Sequence, residues 1–162
     1  MIIENKTKSL RISQQRFLAA IIFFPLIVVL LATDLIEDKF LELNKYYWAI
    51  IATVIYLGQN VYEHLKDFNY IYFSDEEDNK LLLRYVSLKP FDSKKYSIEI
   101  KKEDLHSYKI NRKSLNFKQE LVLFVRTPQG IAKYPPISIS ALSEGELNQM
   151  KKVLNQILGV TT

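Results

Sequence analysis

Hydrophobic and polar positions follow three different rhythms along this chain. Residues 17–33, FLAAIIFFPLIVVLLAT, pass without a charge, and so do residues 46–62, YYWAIIATVIYLGQNVY. From Phe68 onward the pattern breaks into short β-rich runs, and after Ser143 it changes again to a helical period. Two long apolar helices, a sheet and one amphipathic helix are therefore predicted, in that order.

The first apolar stretch admits three readings: a buried core helix, a cleaved signal peptide, or a membrane span. At 1.5 Å per residue it gives roughly 25 Å of helix against about 30 Å of bilayer hydrocarbon. Arg16 would snorkel at one end, and Pro25 inside the stretch is better tolerated in a membrane helix than in a soluble one. The second stretch has the same uncharged length and opens with Tyr46, Tyr47 and Trp48, where an interfacial aromatic belt belongs, and Tyr62 closes it. A signal peptide needs a small-residue cleavage site, which LLATDL matches poorly, and needs no second apolar segment. The expectation is a transmembrane helical hairpin over residues 17–66, with spans at about 17–33 and 46–62.

Its flanks set the orientation. Residues 1–16 hold Lys6, Lys8, Arg11 and Arg16 against Glu4, whereas the connector DLIEDKFLELNK is mostly acidic and amphipathic. Basic flanks stay in the cytoplasm, so a basic cytoplasmic N-terminal segment (1–16), an outside connector and a cytoplasmic domain (67–162) are expected. No long linker follows the second stretch, and EHLKDFNY would carry the helix straight into that domain.

Within it, FNYIYF and LLLRYV flank the turn SDEEDNK, followed by YSIEI, then the irregular DLHSYKINR, then QELVLFVRT, IAKY and ISIS. These are six or seven short strands, with Pro135 and Pro136 placing the last at an edge or dividing it from its neighbour. Pro128 and Gly130 suit a turn in TPQG. Ser143 and Glu146 fit a capping box, and Leu147, Met150, Val153, Leu154, Ile157 and Leu158 then share one helical face, with Gly159 as a stop.

The order shown by YSIEIKKEDLHSYKI, ELVLFVRTPQGIAKY and the closing helix resembles the pleckstrin-homology-like (PH-like) superfold. With two apolar helices in front, the chain resembles the bacterial membrane-anchored PH-like proteins. That resemblance implies an α+β membrane protein: a two-helix hairpin, then an antiparallel β-barrel or sandwich of about seven strands capped by a C-terminal helix. It also implies a multi-pass protein of the bacterial cytoplasmic (inner) membrane. One departure matters: phosphoinositide-binding members carry cations around the first strand loop, and here that loop holds Asp75, Glu76, Glu77 and Asp78, which would repel an inositol phosphate.

Composition narrows the chemistry. The net charge is +4, and beyond residue 62 sixteen basic residues face thirteen acidic ones, too even a balance for nucleic acid. No cysteine is present, which excludes disulfides and thiolate metal sites, and His64 and His106 have no ligand spacing. The acidic turn lacks the spacing of a calcium loop. No cofactor, metal, catalytic residue or small-molecule substrate is expected.

Two groups of residues stand out as contact candidates. Lys101, Lys102, Lys109, Arg112, Lys113 and Lys118 would attract an anionic membrane or a partner, each by about 1 kcal/mol near the lipid surface, or simply face solvent. Tyr56, Gly58, Gln59 and Asn60 would pack inside the membrane, because polar groups in hydrocarbon seek partners and small residues allow close approach. The expected function is a non-enzymatic accessory or interaction subunit of a membrane complex, contacting lipid and another integral membrane protein or a second copy. An anionic-lipid-responsive sensor or scaffold is the alternative, with a lipid-acting enzyme behind it.

Overall fold

A computed structural model of the chain describes residues 1–32, 45–77, 79–89, 92, 94–113 and 117–160. The connector between the two apolar stretches lies outside the described residues. The chain forms two compact units, Met1–Leu10 with Leu65–Thr162, and Arg11–His64.

The first unit is an α+β domain of two antiparallel sheets. One sheet has the order β1-β2-β3-β4, built from Ile2–Glu4 (β1), Asn69–Ser74 (β2), Lys80–Ser87 (β3) and Lys95–Lys101 (β4). The other is centred on β6 (Lys118–Thr127), with β5 (Leu105–Lys113) on one side and β7 (Gly130–Lys133) and β8 (Ile137–Ser138) on the other. Of the six or seven strands expected, seven are present from Asn69 onward. The prolines act as a divider: β7 pairs with residues 124–127 of β6, and β8 with Glu120 and Leu121. Proline lacks the N–H that an unbroken ladder requires. The irregularity in DLHSYKINR is a register shift between Leu105 and Ser107.

The strand that sequence patterning passes over is β1. Within residues 1–16, Ile2, Ile3 and Glu4 pair antiparallel with Ser74, Phe73 and Tyr72, and Ile3 is only 2% exposed. The core joins Ile3, Ile71, Phe73, Leu81, Leu83, Ile98 and Ile100 of the first sheet to Leu121, Leu123 and Ile137 of the second. Helix α3 (Glu144–Ile157) covers it with Met150, Val153 and Leu154. Its first turn carries the expected capping box: Ser143 Oγ accepts the Glu146 N–H at 3.3 Å, and the Glu146 carboxylate accepts the Ser143 N–H at 2.6 Å.

The second unit is a helical pair. Helix α1 (Lys6–Ala32) passes without interruption through Pro25, and α2 spans Lys45–Lys66. The Phe23 ring meets Tyr56 with centroids 5.7 Å apart, and Arg16 pairs with Glu63. The contacts are seven residues apart on each helix and run in opposite chain directions, so the helices are antiparallel over about two turns. Ala49 and Ala52 of α2 are buried.

Most of the remaining apolar surface of this unit is uncovered, with Phe17 68% and Phe24 73% exposed. Among the described residues, one helix, α1, is long and apolar enough to cross a membrane. Of the two spans expected, α1 alone meets that test. Helix α2 has the length, but Gly58, Gln59, Asn60 and its tyrosines interrupt the apolar run, and Glu63 follows within a turn.

Candidate functional site

The strands of the first sheet define two ends. At one, β1 runs directly into α1 and β2 follows directly from α2, so both helices are rooted at the same end of that sheet. Asn5 sits at the first root, where its carbonyl accepts the Ser9 N–H at 2.9 Å and closes the first turn of α1. Its side chain reaches sideways instead of capping: Oδ1 accepts the Ile71 N–H at 2.7 Å, and Nδ2 donates to the Asn69 carbonyl at 3.0 Å. Asn5 is 1% exposed, so each of these bonds satisfies a group that water does not reach.

The second root is charged. Asp67 follows α2 with φ of 50°, a left-handed turn that an Asp tolerates better than most side chains. Its carboxylate lies 2.6 Å from Lys89 Nζ and 2.7 Å from Lys118 Nζ. Lys118 also contacts Glu120 at 3.0 Å, and Lys113 contacts the same carboxylate at 2.8 Å. Burial alone would raise the carboxyl pKa values of Asp67 and Glu120, yet their lysine partners outweigh it and hold both below the ordinary range. Burial would lower Lys118, and its two carboxylates raise it. Asn69 Nδ2 donates to the Ser138 carbonyl at 3.1 Å, and Ser138 Oγ donates to the Lys66 carbonyl at 3.3 Å, which ties both roots to β8.

The basic residues singled out by sequence are therefore not one patch. Lys113 and Lys118 belong to this root network. Lys101 lies 3.9 Å from Glu103, and Lys102 donates to the Asp75 carbonyl at 2.8 Å, at the opposite end of the first sheet. Lys109 and Arg112 lie exposed on β5. The intramembrane candidates also divide. Tyr56 meets Phe23, and Gln59 donates to Glu63 at 3.4 Å, so both accompany the α1 contacts. Asn60 is exposed and donates to the Tyr56 carbonyl at 2.8 Å, while Gly58 faces open space.

A feature that sequence reasoning missed lies on the outer face of the first sheet. Tyr70 and Tyr72 of β2, Arg84 and Val86 of β3, and Lys95 and Ser97 of β4 line a groove of about 400 Å³. Strand register assembles it: Tyr72 pairs with Arg84 and Arg84 with Ser97, while Tyr70 pairs with Val86 and Val86 with Lys95. The Tyr70 hydroxyl donates to Glu4 at 2.8 Å. Burial first, then that bond and the Glu4 charge, push its pKa up to about 12. The period-2 alternation of NYIYF was the available signal, since it turns both tyrosines away from the core.

Among the described residues no group of three or more His, Asp or Glu side chains is placed to hold a metal ion. His64 and His106 are exposed, and neither lines this groove. No protein-family model, curated protein or solved structure matches the chain.

Proposed function

We propose that this chain is a non-enzymatic, membrane-anchored interaction module. In this reading α1 and α2 cross the bacterial cytoplasmic membrane as a hairpin, and the β domain, PH-like in its order of strands and closing helix, stands on the cytoplasmic side as an accessory subunit of a membrane complex.

One observation carries the anchor: β1, immediately before α1, pairs with β2, immediately after α2. A chain whose two flanking strands share a sheet must cross a bilayer an even number of times. If α1 crosses, the chain has to return before Asn69, and α2 is the described segment with all its backbone bonds made internally, as hydrocarbon requires. Composition leaves α2 short of an independent span, and pairing with α1 relieves it: Tyr56, Gln59 and Glu63 turn toward the neighbouring helix, leaving Ile50, Val54, Leu57 and Val61 outward. The short roots favour a domain held at the membrane surface, which suits a docking role.

The chain contains no cysteine, so single cysteines report cleanly. In intact cells a membrane-impermeant maleimide should label Lys39→Cys and spare Lys152→Cys. Labelling of position 152, or release of the chain by alkaline carbonate, overturns the anchor. Purification in mild detergent tests the interaction role, and a chain that runs as a partner-free monomer overturns it.

A further inference from the structure

We propose that the groove on the outer face of the β1–β4 sheet holds the phosphate headgroup of an anionic phospholipid, clamped by Arg84 and Lys95 between Tyr70 and Tyr72. The inference rests on the reading that the helix roots face a membrane, and it assigns to that surface a ligand the anchor itself does not require.

Position is the first argument. Lys66, the last residue of α2, precedes Tyr70 by four positions, and Glu4, which accepts the Tyr70 hydroxyl, precedes the first residue of α1 by two. The row Tyr70, Val86, Lys95 is thus at the root end of the sheet, where headgroups would be met. Charge is the second. Among the described residues Arg84 and Lys95 have neither an ion pair nor a side-chain hydrogen bond, whereas Lys89, Lys113 and Lys118 spend their charge on Asp67 and Glu120. Lys94 adjoins Lys95 at the same end, while the far end gathers Asp75, Glu76, Glu77, Glu99, Glu103 and Asp104. Carboxylates stand at the root end as well, but Glu4 accepts the Tyr70 hydroxyl and Asp67 pairs with Lys89 and Lys118, which leaves Arg84 and Lys95 their charge.

The lining chemistry is the third argument. Arg84 presents a planar fork of donors that matches phosphate oxygens, and Lys95 adds a point charge. Tyrosines bring an apolar body and a polar tip, the combination enriched at membrane interfaces. Val86 supplies an apolar floor, and Ser97 a further hydroxyl.

The full chain, carrying 3-fluorotyrosine and purified in an uncharged detergent, is titrated with dihexanoyl-phosphatidylglycerol, dihexanoyl-phosphatidylcholine and inorganic phosphate. The ¹⁹F signals of Tyr70 and Tyr72 are assigned with Tyr70→Phe and Tyr72→Phe. Both signals should shift with the anionic lipid at an apparent Kd at least about tenfold below that for the other two, given about 1 kcal/mol per cation. Arg84→Glu with Lys95→Glu should weaken binding by at least about tenfold. Arg84→Lys with Lys95→Arg should retain it, and so should Lys109→Glu with Arg112→Glu.

Equal response to phosphatidylcholine, equal affinity for free phosphate, or indifference to the Arg84/Lys95 reversal overturns the proposal. So does a groove that ignores lipid but responds to a co-purified protein, which would assign it to a partner. Because micelles contain no bilayer to cross, these outcomes are independent of the cysteine-labelling result.

Discussion

Asn5 and Asn69 are 64 residues apart and directly bonded: the Asn5 amide donates to the Asn69 carbonyl at 3.0 Å, with Asn69 itself only 7% exposed. Replacing Asn5 by Ala leaves that carbonyl and the Ile71 N–H without partners in a dry site. Each orphaned group costs about 1–3 kcal/mol, so Asn5→Ala should lower the unfolding free energy of the β domain by at least about 2 kcal/mol. Asn5→Asp keeps an acceptor for Ile71 but loses the donor to Asn69 and buries a carboxylate without a cation, so it should cost at least as much as Asn5→Ala. Denaturant titration in detergent, followed by tyrosine fluorescence, separates the two.

The lysine–carboxylate network at the α2 root makes stability depend on pH in a direction that can be worked out. Asp67 and Glu120 have folded pKa values below their ordinary ones of 3.8 and 4.5. Their contribution is present above those ordinary values and is lost as pH falls through the lower folded ones. Lys118 is raised above 10.5, so its contribution is present below that value and lost as pH climbs through the folded pKa. The melting temperature should therefore hold between about pH 5 and 10 and fall on both sides. Lys118→Met should lower the plateau and move the acid limb to higher pH, because each carboxylate then keeps a single cation. An unmoved acid limb would refute the network's role.

Tyr70 offers a reading of the β1–β2 seam itself. Its pKa of about 12 reflects burial, then the hydrogen bond to Glu4 and the Glu4 charge, so Glu4→Gln should lower it without restoring the ordinary value of 10.0. The raised value favours the protonated phenol, so the associated stability is complete below pH 10 and disappears as pH rises toward 12. Titrating the assigned ring resonance measures this directly.

At the other end of the chain, Ser143→Ala removes the side-chain half of the capping box on α3. The expected cost is about 1 kcal/mol, within the range of 0.5–2 for such caps. Ser143→Asp should recover most of it, since Asp caps as well as Ser and adds negative charge beside the helix N-terminus. Chemical denaturation of the three forms gives the comparison.

How much of this was legible in the sequence differs from element to element, for physical reasons. The seven strands from Asn69 onward carry period-2 patterning or turn residues that act locally, and α3 announces itself through Ser143, Glu146 and its apolar face. Strand β1 has three residues and no room for a period, and its pairing partners are 68 or more residues away. Lys113 and Lys118 read as free cations because Asp67 and Glu120 reach them only through strand pairing and the turn after α2. The groove was hidden for the same reason: Tyr72, Arg84 and Ser97 become neighbours through register, which no single window contains. In α2 the polar residues Tyr56, Gln59 and Asn60 were visible, but their division between the α1-facing side and the exposed side depended on the partner helix.

The pairing of β1 with β2 also dictates an order of assembly. The first strand leaves the ribosome before either helix, yet nothing can complete it until Asn69 to Ser74 have been made. For that whole interval Ile2 and Ile3 wait with open backbone groups, while the intervening segment must already have found its place. The sheet can therefore start only once β2 has been made, and slow elongation through α2 would lengthen the time in which the β1 edge is open to wrong pairing.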